Sequence, residues 1–261
     1  MFSAFHAAIL GMIQGLTEFL PVSSSAHLTL FPWFFGWQDP GLAFDVALHL
    51  GSLLALLIYY RDDWLSIING AIAGDRRGRR LLVLLLAASI PGAFFGLLFE
   101  KQAETVFRSP LLIAATLSLL GIALWVSDVN SPEKRDLEEI RMTDALLIGV
   151  AQAFALIPGV SRSGATITVA RALGINRQDA ANFSFLMSAP IIAGAGLLKA
   201  HEFFHSGMRA ELTVGFAASA LFSLLAIAVL IAYVKTRTYK IFVWYRLALA
   251  ALVLAIVFTR G

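Results

Sequence analysis

Long apolar runs alternate with short polar segments along most of this 261-residue chain. Six runs have the length of a membrane-spanning helix, which needs about 17 to 25 apolar residues. They lie at 42–60, 81–99, 111–127, 182–200, 212–234 and 242–259. These runs lack the alternation of apolar and polar positions that a transmembrane β-strand requires. The pattern therefore predicts an all-α polytopic membrane protein with six transmembrane helices.

Two further apolar regions are broken by proline into pieces too short to cross a membrane. Residues 4–37 are interrupted at Pro21 and the serines that follow it, and residues 145–173 are interrupted at Pro158-Gly159. Irregular backbone at membrane depth is tolerated only where protein or a wet cavity covers it. We therefore predict two re-entrant helical hairpins, each with its tip at the break.

The composition supports a membrane protein and narrows its chemistry. The chain is 59% hydrophobic and 14% charged, whereas soluble domains carry about 25% charged residues. It contains no Cys, which excludes disulfides and thiolate chemistry. The net charge of +3 is concentrated in a few loops, and we expect membrane lipids but no nucleic acid as partners. Residues 1–13 lack the basic start of a signal peptide, so we expect a mature N-terminus.

The placement of Lys and Arg predicts the orientation. If loop 61–80 is cytoplasmic, segments 128–144, 171–181 and 235–246 share its side, and together they hold 14 Lys and Arg residues against 5 on the opposite side. This bias appears only when both short regions are hairpins. We therefore predict that both termini lie outside. Because the first hairpin then enters from outside, we expect the site to open to the outer face.

When the sequence is aligned with itself at an offset of 138 residues, the first hairpin coincides with the second. Identical residue types then coincide at Gly11 and Gly149, Gln14 and Gln152, Val22 and Val160, Ser23 and Ser161, and Ser25 and Ser163, while Ser24 falls on Arg162. In the predicted topology the two hairpins enter from opposite sides. The sequence thus predicts an inverted-topology repeat in one integral membrane domain, 1–261, with repeat 1 at about 1–127 and repeat 2 at about 145–261. Such repeats place binding sites near the membrane midplane, at discontinuous helices.

Serines follow both breaks. Ser23, Ser24 and Ser25 precede the second short helix of the first hairpin, and Ser161 and Ser163 do so in the second. A helix N-terminus offers free N–H groups and the positive end of the dipole, and hydroxyls add donors. Serine is also a common helix cap, so a single serine would favour capping. Two matched clusters favour an anion site, and we predict a phosphate cradle.

Charged and titratable residues flank these serines. Arg162 suits phosphate through its planar fork, and the alternative is a structural ion pair with Glu18. Gln14 and Glu18 are four residues apart and share a helix face. Glu18 could hold a divalent cation with substrate phosphates, act as a general base, or orient His27. His27 could accept the Ser24 proton, protonate a leaving group, or itself be phosphorylated.

Residues 14–27, QGLTEFLPVSSSAH, and residues 158–166, PGVSRSGAT, resemble the two motifs of the undecaprenyl pyrophosphate phosphatase family, the bacitracin-resistance type of bacterial membrane phosphatase. The resemblance extends along essentially the whole chain. It implies a hydrolase of the inner membrane that removes the terminal phosphate of undecaprenyl pyrophosphate. The product, undecaprenyl phosphate, is the lipid carrier for peptidoglycan and other envelope polymers.

The family resemblance also implies roles for individual residues. It implies catalytic roles for Glu18, Ser24, His27 and Arg162, and substrate-binding roles for Gln14, Ser23, Ser25, Ser161, Ser163 and Thr166. It implies a divalent cation, Mg²⁺ or Ca²⁺, which Glu18 and Gln14 would hold. Gln14 stands where many members have Glu, which puts schemes with two carboxylates in doubt. Ala26 stands where Gly is usual, so the turn before His27 should not need a positive φ at that position.

Several questions stay open at this point. A transporter or flippase of an anionic lipid is the alternative function, because inverted repeats with broken helices are also a transporter design. The set of His27, Glu18 and Ser24 favours an enzyme, since transport needs no nucleophile; whether Ser24, His27 or water attacks phosphorus is open. Asp45 and His49 are expected to support the site or to pair helices. The glycines of 189–198 could pack helices within the chain or in a homodimer.

Overall fold

The computed structural model describes residues 2–205 and 209–260, which form α-helices, short 3-10 helices and connecting turns. Six segments are long and apolar enough to cross a membrane: Leu42–Tyr59, Arg76–Leu98, Pro110–Asn130, Arg177–His201, Ala210–Val234 and Lys240–Arg260. They coincide with the six predicted spans. The prediction of an all-helical, multi-pass membrane protein is therefore confirmed.

The helices follow one another with short connections. In chain order they are α1 (Ala4–Glu18), α2 (Ser24–Phe35), α3 (Leu42–Tyr59), α4 (Arg61–Ala73), α5 (Arg76–Leu98), α6 (Glu100–Glu104), α7 (Pro110–Asn130), α8 (Met142–Ala153), α9 (Arg162–Ala172), α10 (Arg177–Leu186), α11 (Ser188–His205), α12 (Arg209–Val234) and α13 (Lys240–Arg260). Short 3-10 helices lie at Val106–Arg108, Leu137–Glu139 and Phe154–Leu156. The span Arg177–His201 combines α10 with most of α11.

Four short helices form the two regions predicted as hairpins. α1 and α2 have 15 and 12 residues, and α8 and α9 have 12 and 11. All four are shorter than the roughly 20 residues that cross a bilayer. Their breaks fall at Pro21 and at Pro158-Gly159, as the sequence predicts. The re-entrant path through the membrane and the inverted relation of the two halves stay predictions.

The first helix of each broken region packs on a long helix of the other half. α1 packs against α12, and α8 packs against α5. A Cβ at Gly11 would lie 2.3 Å from the carbonyl oxygen of Gly215, and a Cβ at Gly149 would lie 2.3 Å from that of Ala88. Gly11 and Gly149 coincide in the 138-residue shift, and only glycine permits this approach at both. The matched packing supports the proposed repeat.

The segment 61–80, predicted as a loop, instead contains helix α4 and the start of α5. Asp62 and Asp63 lie in the first turn of α4, where carboxylates complement the helix dipole. α4 folds back on α5 and buries Ile67. The loop prediction was wrong because it relied on the charged residues of this segment and overlooked a helix with one narrow apolar face.

The segments rich in Lys and Arg meet at one end of the molecule. Arg80 donates to the carbonyl oxygen of Glu138 at 2.5 Å. Asp128 accepts from Nε of Arg177 at 2.7 Å and from the backbone N–H of Tyr239 at 3.0 Å. These bonds join all four segments that the charge count assigns to the same side. Which face of the membrane they occupy stays a prediction.

The glycines of 189–198 differ in their surroundings. A Cβ at Gly196 would lie 2.5 Å from Cδ2 of Leu50, so this glycine packs α11 against α3 within the chain. A Cβ at Gly194 would meet no atom of the described residues within 4 Å. Packing within the chain therefore accounts for Gly196. The homodimer stays a prediction.

Candidate active site

The two breaks lie against each other in the interior. The Ser23 hydroxyl accepts a hydrogen bond from the backbone N–H of Gly159 at 2.9 Å. In the opposite direction, the Ser163 hydroxyl donates to the carbonyl oxygen of Leu20 at 3.0 Å. Each side chain thus crosses from its own break to the other one. The two sequence motifs therefore meet in space.

The breaks share an unusual backbone conformation. Ser23 has a φ of 74° and Ser161 has a φ of 70°, in a region that favours glycine. Each hydroxyl then caps the helix that follows: Ser23 accepts from the N–H of Ala26 at 3.4 Å, and Ser161 accepts from that of Gly164 at 3.0 Å. Ala26 lies within α2 and has no positive φ, as its residue type led us to expect. Strained non-glycine residues tend to cluster at functional sites, where the fold holds them in place.

A buried arginine on α13 holds both breaks. Arg246 is 0% exposed. Its Nη1 donates to the carbonyl oxygen of Pro21 at 3.2 Å, and its Nη2 donates to those of Gly159 at 2.7 Å and Val160 at 3.2 Å. This role was not predicted from the sequence, where Arg246 counts among the charges of segment 235–246. The one available signal was its position between apolar residues of a span, where a cation needs buried partners.

Glu18, the last residue of α1, is the centre of a buried polar cluster. Its Oε2 accepts from the Ser24 hydroxyl at 2.6 Å and from Nε2 of Gln14 at 2.9 Å, and it lies 3.3 Å from Nε2 of His49. Its Oε1 accepts from Nη2 of Arg162 at 3.1 Å. These partners offset the cost of burying the carboxylate. The structure thus brings Ser24, Glu18 and Arg162 together, and it adds His49 to them.

His27 follows Ser24 by three residues in the same helix, α2. Its Nδ1 is 2.7 Å from the carbonyl oxygen of Ser23, and its Nε2 is 2.6 Å from the hydroxyl of Tyr245. The rings of His27 and Tyr245 are stacked, with 5.6 Å between centroids. From the sequence, either Glu18 or His27 could accept the Ser24 proton. In this arrangement the carboxylate of Glu18 occupies that position.

The other predicted binding residues fall into two groups. Ser25 and Ser161 line the cavity described below. Ser163 and Thr166 are both 0% exposed, and the Thr166 hydroxyl lies 2.6 Å from that of Ser184. The second group therefore joins the second break to neighbouring elements.

Asp45 and His49 extend the network away from Glu18. Nδ1 of His49 lies 2.7 Å from the carbonyl oxygen of Asp45. The Asp45 carboxylate pairs with Nη1 of Arg108 at 3.1 Å, and Asp39 pairs with Nη2 at 3.0 Å. Burial opposes the charged form of Arg108, but these two carboxylates outweigh it and raise its pKa. Arg108 therefore stays cationic. This role of Arg108 could not be predicted, because a lone arginine in a loop is normally a solvated charge.

A cavity of about 740 Å³ begins at this cluster. Its polar end is lined by Glu18, Ser24 and Arg162, and Arg108 lines it as well. The rest of the wall comes mainly from apolar residues of α5 and α11, among them Leu86, Ile90, Leu97, Ile191 and Leu198. Gly194 also lines this part and leaves it open. A pocket that combines a polar cluster with a large apolar wall suits an amphiphile with an anionic head.

The implied cation would need oxygen ligands beside Glu18. Within the described ranges, no group of three or more His, Cys, Asp or Glu side chains could hold a metal ion. Oε1 of Gln14 is buried without a hydrogen-bond partner among those residues, on the side chain that bonds to Glu18. Mg²⁺ is commonly held by one or two carboxylates together with substrate phosphates and water. Gln14 and Glu18 therefore fit a cation whose remaining ligands would be substrate phosphates and water.

Comparison with known proteins identifies close relatives over the full length. The profile of a family described as "Bacitracin resistance protein BacA" matches residues 7–252. The undecaprenyl-diphosphatase of Pelotomaculum thermopropionicum is 50% identical over 258 residues, which cover 97% of each chain. The undecaprenyl-diphosphatases of Moorella thermoacetica and Gemmatimonas aurantiaca are 49% and 48% identical, with 99% of each chain covered.

Proposed function

Because the chain belongs to the bacitracin resistance protein BacA family, we propose that it is an undecaprenyl-diphosphatase. It hydrolyses undecaprenyl pyrophosphate to undecaprenyl phosphate and inorganic phosphate. This reaction recycles the lipid carrier for cell-wall synthesis and confers bacitracin resistance. The observation that carries the proposal is the 2.6 Å hydrogen bond from Ser24 to Glu18, in a cavity that also contains Arg162.

Ser24 is the proposed nucleophile and Glu18 its base. Glu18 takes the hydroxyl proton while the Ser24 oxygen bonds to the terminal phosphorus. The bond from that phosphorus to the bridging oxygen breaks, and the lipid monophosphate leaves with the electron pair and receives the proton from Glu18. Water then attacks the phosphoserine and gives a proton to Glu18. Glu18 returns that proton to the Ser24 oxygen as inorganic phosphate leaves.

Arg162 is proposed to stabilise the charge on the transferred phosphoryl group. Its Nη1 donates to the carbonyl oxygen of Ser184 at 3.0 Å and its Nη2 to Glu18, which fixes the guanidinium beside Ser24. Phosphoryl transfer is catalysed mostly by positioning and charge stabilisation. Ser25 and Ser161 add hydroxyl donors from the cavity wall. A divalent cation held by Glu18 and Gln14 would neutralise further phosphate charge.

His27 completes the proposed catalytic set by positioning. Its bond to the carbonyl oxygen of Ser23 lies at the strained turn immediately before Ser24. Tyr245 holds the other ring nitrogen, so the imidazole is fixed from both sides. In this proposal His27 keeps the Ser24 hydroxyl directed at Glu18. The base itself is Glu18.

We propose a location in the bacterial cytoplasmic (inner) membrane, with both termini and the cavity mouth on the outer side. Arg108 and Lys199 line the cavity, and both belong to the side that is poor in Lys and Arg. Among the described residues, none from the four segments rich in Lys and Arg lines it. The positive-inside rule assigns those segments to the cytoplasm. The apolar wall between α5 and α11 is proposed to receive the polyprenyl tail.

Phosphate release from a polyprenyl pyrophosphate by the purified, detergent-solubilised protein tests the proposed function. We expect release by the wild type and its loss in Ser24→Ala, while the variant still binds the lipid. A flippase needs anion-binding groups but no hydrogen bond between a nucleophile and a base. Movement of a phosphorylated lipid across vesicles without phosphate release would therefore favour the transporter and contradict the proposal.

A further inference from the structure

Gln152, on the last turn of α8, is a buried side chain without hydrogen-bond partners. It is 4% exposed and lines the cavity. Both its Nε2 and its Oε1 lack a hydrogen-bond partner among the described residues. Buried polar groups are nearly always paired, and an exception requires an explanation. A ligand in the cavity would pair this amide.

The corresponding residue of the first repeat shows what is different about Gln152. Gln14 coincides with Gln152 in the 138-residue shift, and its Nε2 donates to Glu18 at 2.9 Å. The residue four positions after Gln152, where the first repeat has Glu18, is Leu156. The second repeat therefore lacks the carboxylate that engages the glutamine of the first. The same residue type supports a catalytic group in one repeat and remains unpaired in the other.

The surroundings of Gln152 favour an anion as the missing partner. A Cβ at Gly92 would lie 2.9 Å from Nε2 of Gln152, so α5 leaves room for the amide at this point. Nε of Arg162, in the wall of the same cavity, is also buried and unpaired among the described residues. Two N–H groups without partners, one of them on a cation, thus belong to residues that line one cavity. Charge-assisted hydrogen bonds of this kind suit phosphate oxygens.

The order of groups along the substrate indicates which of its two phosphates would contact Gln152. In the proposed reaction the terminal phosphate lies at Ser24, and the polyprenyl tail lies along the apolar wall. The phosphate attached to the lipid must lie between them. Gln152 packs against Gly92 of α5, and α5 also contributes the apolar lining residues Ile90 and Leu97. Gln152 therefore lies beside the apolar wall that α5 provides.

We propose that Gln152, together with Nε of Arg162, binds the phosphate that stays on the lipid. Nε2 of Gln152 donates to an oxygen of that phosphate, and Oε1 accepts from water or from a protonated phosphate oxygen. This subsite rests on the proposed function, because it assigns one end of the same substrate. It differs from the place of the transferred phosphate beside Ser24, and only Arg162 serves both places. The lipid product therefore keeps its contact with Gln152, whereas inorganic phosphate binds beside Ser24.

The test compares Gln152→Met with Gln14→Met, the matched change in the other repeat, and with Gln102→Met at an exposed position. Each purified variant is titrated with a polyprenyl phosphate and, separately, with inorganic phosphate. We expect Gln152→Met to weaken polyprenyl phosphate binding about tenfold or more, the effect of one charge-assisted hydrogen bond, and to leave inorganic phosphate binding unchanged. Gln14→Met should lower kcat with little effect on lipid binding, and Gln102→Met should change neither quantity.

Equal weakening of both ligands by Gln152→Met, or no weakening of either, would overturn the subsite. A thermal melt of each variant identifies any that has failed to fold, and Gln152→Asn then provides a second, polar variant of shorter reach. The direct titrations do not depend on turnover. If the wild type releases no phosphate at all, the proposed function fails, while the binding of polyprenyl phosphate still decides whether Gln152 contacts it.

Discussion

The two broken regions have the same local architecture and different chemistry. Both contain a serine with positive φ that caps the following helix, and both pack a glycine against a long helix of the other half. The first carries the carboxylate of Glu18 and the hydroxyl of Ser24. At the corresponding positions the second carries Leu156 and Arg162. One break thus supplies the proposed nucleophile and base, while the other supplies the proposed phosphate-binding groups.

This division explains why neither region suffices alone. Ser24 and Arg162 coincide in the 138-residue shift, yet in the structure both contact the single carboxylate of Glu18. A cation and a hydroxyl can converge on one carboxylate only if the two breaks face each other. The hydrogen bond from the N–H of Gly159 to Ser23 and the guanidinium of Arg246 hold them in that relation. Two breaks with the same backbone turn therefore position unlike side chains.

The largest effect should come from the carboxylate that only the first region carries. Glu18→Gln keeps the shape of the side chain but removes the base, and we expect phosphate release to fall by about 10²–10⁴-fold. The initial rate of phosphate release measures this. Release within threefold of the wild type would show that proton transfer from Ser24 does not depend on Glu18.

The next effect should come from the cation that only the second region carries. Arg162→Lys keeps a charge but loses the fork that reaches Glu18 and Ser184 together. We expect kcat to fall by about 10²-fold, as for loss of one charge-stabilising donor. Steady-state kinetics on a polyprenyl pyrophosphate measure it. A variant with normal kcat would mean that Arg162 acts only as a structural partner of Glu18.

A third change should disturb both regions at once. Arg246→Met removes the donors that pair the carbonyl oxygens of Pro21, Gly159 and Val160. We expect a loss of stability of about 1–3 kcal/mol for each carbonyl left unpaired and buried. Thermal unfolding in detergent measures this, with the exposed Arg61→Met as a control. If the melting temperature stays unchanged, the two breaks do not depend on Arg246.

The smallest effect should arise at the apolar wall of the cavity. Gly194→Leu would fill space that a Cβ leaves open, so we expect KM for long polyprenyl pyrophosphates to rise about threefold to tenfold, the cost of one poorly accommodated apolar group. KM for a short-chain analogue and kcat should change little. Equal effects on long and short substrates would place the tail elsewhere. Gly196→Leu, which would clash with Leu50, should instead lower stability.

Much of the fold could be predicted from the sequence, because apolar run length defines a membrane span and proline defines a break. The proximity of the two motifs could be anticipated from their matched serines. The role of Arg246 could not be predicted, because its partners are backbone carbonyl oxygens, which every residue type has. The orientation of the His27 ring could not be predicted either, because its partner Tyr245 lies in the last helix, far away in sequence. Helix α4 was not predicted, because the charged residues of its segment favoured a loop over a weakly amphipathic helix.

The central claim is that Ser24 attacks phosphorus with Glu18 as its base. The most direct measurement is acid quenching of the wild-type protein within one turnover of a polyprenyl pyrophosphate, followed by peptide mass spectrometry. We expect a transient phosphoryl group on Ser24, absent in Ser24→Ala and formed much more slowly in Glu18→Gln. A phosphoryl group on His27, or turnover by Ser24→Ala at the wild-type rate, would contradict it.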